Sequence, residues 1–507
     1  MKKKQVFVGS VFHYAVLVSA LVSGLITTPF IISRLGYGIY GVYKIVISII
    51  AYVGVLNFGF GNTVIRYLTE IINKNDIKKE KEFLSVIKTF NLISVVIAAI
   101  SGVVLYAVVP FAFSHSLTPY EISIAQQMLL VLIVSVVINI FNEIYIGIIT
   151  AHERFIFLRG FDFLRSIIRF VLIMAILTLH PSAIFLVTVD LFLSGVMFII
   201  NLSYSRFKLN TQPKFSFSKI KSLDMGYYKP VFIYTAYLFL NLILGQLTFN
   251  TNLIIIGMRL SSFDASVYAA STVISHAFFI VSLVIGNNMF PSIVKAVTGG
   301  ANNREITDIM ARIGRLHAYV GMFILTAFFA FGRQFIVLWL GPDFSEVWIA
   351  ALLIMCGTMF NSLTAAGHLI LRAMNKQDFY LISYAGIFVL NAVVAYFIAP
   401  VYGITGVAFT TFLSFAVVFC FAILPYKHRL GMNMFVFLKR ICLPVVVPSV
   451  LAVVSFFVFE FLSLDSWATV FAAGFCYALV FCLLIYFVAM NNNEKAILKN
   501  IITRVAS

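Results

Sequence analysis

The chain has 507 residues, of which 62% are hydrophobic and only 11% are charged, and its formal net charge is +17 at pH 7. A soluble fold cannot bury that much apolar surface, so the composition excludes a water-soluble protein and indicates one that lies in a lipid bilayer. The positive charge does not indicate a nucleic-acid partner, because the basic residues concentrate in alternate connections between apolar runs, as in polytopic membrane proteins.

Fourteen apolar runs follow one another along the chain, and each is long enough to cross a bilayer, which takes roughly 20 residues at about 1.5 Å per residue. The first run is too long for the hydrophobic part of a signal peptide, so we expect an uncleaved first helix. We predict an all-α polytopic membrane protein with about 14 transmembrane helices. The predicted spans are 6–32, 38–68, 83–109, 122–150, 160–179, 182–204, 229–257, 264–290, 312–330, 346–370, 379–398, 402–425, 440–459 and 466–489.

Both chain ends are predicted to face the cytoplasm. An even number of spans places the two termini on one side, and the connections of that side hold the clusters of Lys and Arg, including Lys219, Lys221 and Arg504. The positive-inside rule assigns that side to the cytoplasm. We expect the protein in the cell inner (cytoplasmic) membrane, as the family resemblance described below implies. The opposite side offers only Arg34, Arg259 and Arg333 in its connections and Lys44 inside the outer end of the second span.

The longest polar connection, 205–229, separates six spans from the next six. The segments 31–43 (IISRLGYGIYGVY) and 256–271 (IGMRLSSFDASVYAAS) open the two halves alike, with Arg-Leu after an apolar run and Tyr at the head of the next helix. A duplicated six-helix unit would place a repeat at these two positions. We predict one six-helix lobe over 1–215, a second over 216–432, and an additional helix pair with a tail over 433–507.

Several segments carry a family resemblance: TPFIISRLGYGIYGVY (28–43), YVGVLNFGFGNTVIRY (52–67), HERF (152–155), WLGPDF (339–344) and the block 371–414. With these segments the chain resembles the polysaccharide-type (Wzx-like) flippases of the superfamily that also holds the MATE drug exporters. The resemblance implies two six-helix lobes around a central cavity. It also implies translocation, by alternating access, of undecaprenyl-pyrophosphate-linked oligosaccharides, the precursors of O-antigen or capsule-type polysaccharide.

The partners implied are that lipid-linked substrate, the membrane lipids and the polysaccharide polymerase or export machinery, with the protein acting as a monomer. No P-loop, zinc-protease, nucleophile-elbow or Cys-x-x-Cys motif is present, so we expect neither an enzyme nor a metal site. No cofactor is expected beyond a coupling ion, H⁺ or Na⁺, because nothing in the sequence provides for ATP hydrolysis.

The fifth span carries charges at helical spacing. Arg159, Asp162, Arg165 and Arg169 share one face, and Arg169 falls near the middle of the membrane. Arginine suits a pyrophosphate headgroup because its planar fork donates two hydrogen bonds to phosphate oxygens. Arg165 and Arg169 are therefore candidate headgroup ligands, and the alternative is an interfacial stretch whose side chains snorkel to water.

Four further charged residues lie within predicted spans. Asp190 is close in depth to Arg169, and it could accept a coupling proton or simply neutralise that arginine. Glu143 could supply polarity at an inner gate or lie at the interface. Lys44 and Arg66 are additional candidates for the headgroup, with outward snorkelling and interface anchoring as their respective alternatives.

The seventh and eighth spans hold amides and a histidine, namely Asn241, Gln246, Asn250 and His276. These side chains are candidates for contacts with sugar hydroxyls. The alternative for the amides is hydrogen bonding between helices, and for the histidine it is packing.

Three other functions stay open on the sequence. A murein lipid-precursor flippase fits a basic cavity equally well. A cation-coupled MATE-type drug exporter would favour acidic cavities and twelve spans. A membrane-embedded glycosyltransferase or polymerase would carry a large outer loop with catalytic residues, whereas every outer connection here is short.

Overall fold

The computed structural model describes residues 2–211, 213–216, 224–374, 376, 378–461, 465–496 and 499. Lys219, Lys221 and Arg504 lie outside these residues. The elements are helical. The α-helices are α1 (Lys2–Leu35), α2 (Tyr37–Gly54), α3 (Phe60–Asn73), α4 (Ile77–Ala112), α5 (Pro119–Ala151), α6 (Phe155–Leu179), α7 (Ala183–Phe207), α8 (Met225–Phe249), α9 (Thr251–Arg259), α10 (Ser262–Thr298), α11 (Asn303–Leu340), α12 (Glu346–Leu363), α13 (Ala365–Ala373), α14 (Asp378–Leu430), α15 (Met434–Phe461) and α16 (Trp467–Leu484).

Among the described residues, 12 helical segments are long and apolar enough to cross a membrane. One of these, α14, is two helices joined end to end at Gly403, whose backbone is not helical (φ 60°, ψ −152°). Helix α6 is absent from the 12 because its charged face lowers its apolar character. With α14 counted as two spans and α6 included, each of the fourteen predicted spans has a helical counterpart, and the predicted all-α membrane fold is confirmed.

Three predicted spans are interrupted within their predicted bounds. The second breaks between α2 and α3, where Phe58 and Gly59 adopt left-handed backbone angles (φ 51° and 72°). The seventh breaks at Asn250, between α8 and α9, and the tenth at Thr364, between α12 and α13. Hydropathy does not reveal such breaks, because it depends on side-chain type and not on backbone direction.

The chain divides into two compact units, Met1–Ala269 and Ala270–Ser507. In the first, α3, α4 and α5 share a core that includes Val64, Phe83 and Ile148. In the second, α11, α12 and α15 pack around Met310, Met355 and Phe437. The predicted lobe boundaries at 215 and 432 stay a prediction.

Within the second unit, the last described segment is tied to α11 by a nearly buried ion pair. Arg315 donates hydrogen bonds to both carboxylate oxygens of Glu494, each at 2.7 Å. The same guanidinium donates to the carbonyl oxygens of Arg440 and Ala489, also at 2.7 Å. One side chain thus joins α11, α15 and the end of the last spanning segment.

We expect Glu494→Gln to lower the free energy of unfolding by about 2 kcal/mol, because a hydrogen bond to a charged group contributes roughly that amount. The two side chains are only 10% and 19% exposed, so water cannot replace the lost carboxylate. The measurement is thermal unfolding in detergent. The matched control is Asp308→Asn, which breaks the ion pair with Arg440; both of those side chains are 43% exposed, so we expect roughly 0–1 kcal/mol.

This contribution should depend on pH. Partial burial by itself would raise the pKa of the Glu494 carboxyl, but hydrogen bonds from Arg315, the Asn491 backbone and Tyr319 bring it below its ordinary value of 4.5. A lowered pKa in the folded state stabilises the fold above the ordinary value, and the stabilisation disappears as the pH falls through the lowered value. The difference between wild type and Glu494→Gln should therefore shrink in acid; a constant difference would contradict the assignment.

Candidate functional site

Helix α6 carries four charged side chains, of which Arg159 is exposed and Asp162, Arg165 and Arg169 are partly buried. It packs against α1 and α7, which shields a helix too polar to face lipid all round. Near its beginning, Arg159 donates a hydrogen bond to Asp162 (Nη1 to Oδ2, 3.2 Å). Arg165 and Arg169 follow on the next turns, so the predicted helical spacing is present in the structure.

Arg169 and Asp190 form a two-pronged ion pair between α6 and α7. The guanidinium Nε lies 2.6 Å from Oδ1 of Asp190, and Nη2 lies 3.0 Å from Oδ2. The Arg169 side chain keeps 37% of its surface exposed and that of Asp190 keeps 17%. Nη2 also donates to the hydroxyl of Tyr43 in α2, at 3.4 Å. The two residues that the sequence placed at similar depth are therefore direct partners.

Arg165 lies one turn before Arg169 and has a neutral partner. Its Nη2 donates a hydrogen bond to Oγ of Ser194 at 3.3 Å, and Ser194 in turn accepts one from Ser135 of α5 at 3.2 Å. Arg165 forms no ion pair within 4 Å among the described residues. Its hydrogen-bond partner is thus a neutral hydroxyl and not a carboxylate.

Lys44 adds a third cation to this group. Its ammonium lies 5.3 Å from the ring centre of Tyr40 and 5.9 Å from that of Tyr43, within the range of cation–π attraction. Tyr43 also contacts Arg169, so one tyrosine links the two cations. We name Lys44, Arg165, Arg169, Asp190 and Tyr43 the α6 cation group; it holds three positive charges and one negative charge.

Glu143 lies on α5, apart from these pairs. A Cβ atom placed on Gly61 of α3 would come within 2.5 Å of its Oε2 atom, so the carboxylate occupies the space that glycine leaves open. No hydrogen bond or ion pair to this carboxylate is present among the described residues. Its neighbour Asn142 accepts a hydrogen bond from Asn201 of α7 at 3.0 Å, which joins two helices. An inner-gate role for Glu143 stays a prediction.

Arg66 makes its contacts in a different place from the α6 cation group. Its guanidinium lies 4.4 Å from the ring centre of Tyr234 on α8 and 5.5 Å from that of Tyr67. It forms no ion pair among the described residues, and nearby Glu70 is paired with Lys74 at 2.6 Å. The structure thus gives four of the predicted charges a common location and gives Arg66 another.

The predicted sugar-contact amides are largely engaged within their own helix. Asn250 donates to Oε1 of Gln246 at 2.6 Å, where the seventh span breaks. Asn241 donates to the carbonyl oxygen of Tyr237 at 2.8 Å. These three amides belong to the first compact unit, whereas His276 belongs to the second, with its ring 6.3 Å from that of Phe279. Sugar contact by any of them stays a prediction.

Tyr43 and Ser194 were not singled out by the sequence reasoning. A signal for each was available, since Tyr43 directly precedes Lys44 and Ser194 follows Asp190 by four residues on the same helix face. No group of three or more potential metal ligands occurs within the described part of the chain.

A sequence family described as "Polysaccharide biosynthesis protein" matches residues 31–349, which is more than half of the chain. The chain belongs to this family. The match includes α2, α6 and α7 and thus the whole α6 cation group. No curated protein matches the chain in sequence.

Solved structures with the same fold come from transporters. The chain is similar to the lipid II flippase MurJ in an inward closed conformation, with a TM-score of 0.70 and 15% identity over 94% of this chain and 98% of MurJ. It is also similar to an inward-facing multidrug resistance MATE family transporter of the MOP superfamily (TM-score 0.65, 14% identity, 82% and 94% covered). A third is a MOP superfamily transporter from Pyrococcus furiosus (TM-score 0.58, 14% identity, 85% and 96% covered).

These likenesses establish the fold, and together with the family they confirm the resemblance noted in the sequence. This member of the polysaccharide biosynthesis family is a multi-pass membrane protein with a fold that transporters share.

Proposed function

We propose that this protein is a flippase of the cell inner membrane, which moves undecaprenyl-pyrophosphate-linked oligosaccharide from the cytoplasmic to the outer leaflet by alternating access. Family membership ties the chain to polysaccharide biosynthesis, and the fold is one that transporters use. The substrate, its direction of transport and the coupling ion, H⁺ or Na⁺, are parts of this proposal.

The α6 cation group carries the proposal. A positive charge in the bilayer is costly and calls for an anionic partner, either from the protein or from a ligand. Asp190 forms an ion pair with one of the three cations, Arg169, while Arg165 donates its hydrogen bond to the neutral Ser194. The group therefore has unmatched positive charge, and a pyrophosphate has the charge and the acceptor oxygens to match it.

The Arg169–Asp190 pair also provides a way to exchange anions. With no substrate bound, the carboxylate occupies two donors of the Arg169 fork. A pyrophosphate that binds Arg165 and Lys44 competes for the same fork and releases Asp190. We propose that the released carboxylate is the acceptor of the coupling proton. Substrate binding and proton uptake are thereby linked through one ion pair.

The test is reconstitution into vesicles with lipid-linked oligosaccharides of different sugar composition, scored by access of a membrane-impermeant probe to the sugar. We expect translocation of at least one oligosaccharide lipid, and none of a zwitterionic phospholipid of matched chain length. Equal rates for the two lipids would overturn the proposal. Transport of a cationic dye in the same vesicles would favour the drug exporter, and transport of a murein precursor alone would favour the murein flippase.

Asp190→Asn should remove the response of transport to a proton gradient. The amide cannot gain or lose the proton, yet it keeps the size of the carboxyl group and one acceptor oxygen for Arg169. Translocation is measured over a series of pH gradients, and Asp162→Asn on α6 is the matched control. A gradient response in Asp190→Asn equal to that of wild type would exclude Asp190 as the coupling residue.

A further inference from the structure

An apolar cavity of about 300 Å³ lies within the first compact unit, at the junction of α3, α4 and α8. It is separate from the α6 cation group and shares none of its residues. Its volume is at the lower end of the range for small-molecule sites. The residues that define it, which we name the aromatic groove, are Phe58, Phe60, Phe90, Phe232, Ala236 and Phe239.

The break in the second span builds one wall of the aromatic groove. Phe58 is held in a left-handed backbone conformation that a non-glycine residue rarely adopts, and such a feature is a reason to look for function. Its ring lies 4.6 Å from that of Phe239 on α8. Gly59 lets the chain approach α8 closely, since a Cβ atom there would lie 2.9 Å from Cβ of Leu238.

The opposite wall is apolar and partly exposed. Phe90 and Phe232 meet edge to face, with ring centres 5.0 Å apart. Ile93 and Ile97 border the cavity on α4, and each keeps 40% of its surface exposed. A hydrocarbon chain that reaches the groove past Ile93 and Ile97 meets only apolar side chains on this wall.

Arg66, a positively charged residue, lies beside the groove on α3 and contacts α8. Arg66 follows Phe60 by six residues on α3, a rise of about 9 Å, and it stacks on Tyr234 of α8. Between them, Thr63 and Thr235 share a hydrogen bond of 3.0 Å that fixes α3 against α8. Stacking holds the plane of the guanidinium while leaving its edge donors available, and the described residues provide it with no ion pair.

The geometry points to a binding site for a phosphorylated isoprenoid lipid, with its phosphate at Arg66 and the first isoprene units of its tail in the aromatic groove. A neutral lipid would leave Arg66 unmatched, and a soluble phosphate would leave the groove empty. The inference rests on the proposed function, which supplies a polyprenyl pyrophosphate as substrate. It adds a second site, apart from the α6 cation group, which the carrier lipid occupies before or after its pyrophosphate is bound at that group.

The test measures binding of fluorescent decaprenyl phosphate to the purified full chain in nanodiscs. Ala236→Trp fills the groove from its mouth, and we expect about tenfold weaker binding, equal to roughly 1.4 kcal/mol. Ile233→Trp is the matched control, because Ile233 lies on the same helix, is 51% exposed and does not line the groove. Ala236→Leu fills less of the groove, so it should weaken binding less than Ala236→Trp does. It replaces the tryptophan variant in the test if that variant does not fold.

Two further measurements distinguish recognition of the phosphate from recognition of the isoprenoid chain. Arg66→Gln should weaken decaprenyl phosphate but leave decaprenol, which lacks the phosphate, unchanged, whereas Ala236→Trp should weaken both. Dihexadecyl phosphate, with saturated unbranched chains, should compete poorly. Equal competition by dihexadecyl phosphate would assign the groove to ordinary acyl chains and overturn the proposal, as would wild-type affinity in Ala236→Trp.

Translocation by the wild-type protein distinguishes this inference from the function it rests on. Normal translocation with unchanged binding in Ala236→Trp would reject the groove alone. Absence of translocation for every oligosaccharide lipid, with binding still lost in Ala236→Trp, would reject the flippase proposal and leave the groove as an isoprenoid site.

Discussion

Replacing Arg169 with Ala is expected to abolish translocation while the protein still inserts into the membrane. The substitution removes the side chain that donates hydrogen bonds to both Asp190 and Tyr43, and it removes the fork that would bind pyrophosphate. Truncating one partner of a buried charge pair costs about 2–5 kcal/mol, so we expect at least a roughly 30-fold loss. The measurements are surface polysaccharide in cells and translocation in vesicles, with membrane insertion scored separately.

A second variant separates substrate binding from charge neutralisation. If Arg169 serves only to neutralise Asp190, then Arg169→Ala combined with Asp190→Ala should restore transport, because neither charge is left alone. If Arg169 binds the headgroup, the double variant should remain inactive. Arg169→Lys is the matched control for charge: it keeps the positive charge but loses the two-pronged geometry, so we expect partial activity. Wild-type surface polysaccharide in Arg169→Ala would remove Arg169 from the mechanism.

Arg165→Gln should weaken substrate affinity by about tenfold or more and change insertion and stability little. Arg165 has no carboxylate partner among the described residues, so its removal leaves no buried anion behind. A charge-assisted hydrogen bond to phosphate contributes about 1.5–3 kcal/mol, which sets the expected factor. The measurement is the concentration dependence of translocation, in which the apparent KM should rise.

Ser194→Ala is the matched control for Arg165. It removes the hydroxyl that orients the guanidinium but keeps the charge, so we expect a loss of affinity smaller than that of Arg165→Gln. An Arg165→Gln variant with unchanged KM and a lowered unfolding temperature would show that Arg165 has a packing role instead. These variants distinguish the two arginines. Replacing Arg169 leaves the Asp190 carboxylate without its ion-pair partner, whereas replacing Arg165 removes only a hydrogen bond to Ser194.

Much of the membrane fold follows from local sequence. Each predicted span has a helix near its predicted bounds, because a bilayer requires an apolar run of a given length and a helix that satisfies its own backbone hydrogen bonds. The breaks at Phe58, Asn250 and Thr364 were not predicted. A break requires only a few residues to change backbone direction, and packing against a neighbouring helix stabilises that change; Gly59 against Leu238 is one such contact.

The candidate site was only partly predictable. Depth in the membrane placed Asp190 next to Arg169, because two spans joined by a short connection bring residues of equal depth to the same level. Depth does not determine rotation about a helix axis. For that reason the sequence could not show that Lys44 joins Arg169 through Tyr43 while Arg66 stacks on Tyr234.

By itself, the sequence determined that lipid surrounds the protein, how many spans it has and which helix carries the charges. These properties follow from hydropathy and helical period, which depend on a few neighbouring residues. Only the tertiary structure decided which charges are partnered. Arg169 and Asp190 are 21 residues apart in the sequence, and Arg169 and Tyr43 are 126 residues apart. The aromatic groove combines α3 and α4 with α8, which begins more than a hundred residues after α4 ends. Contacts at such separations depend on how each helix is rotated and packed, which no local pattern encodes.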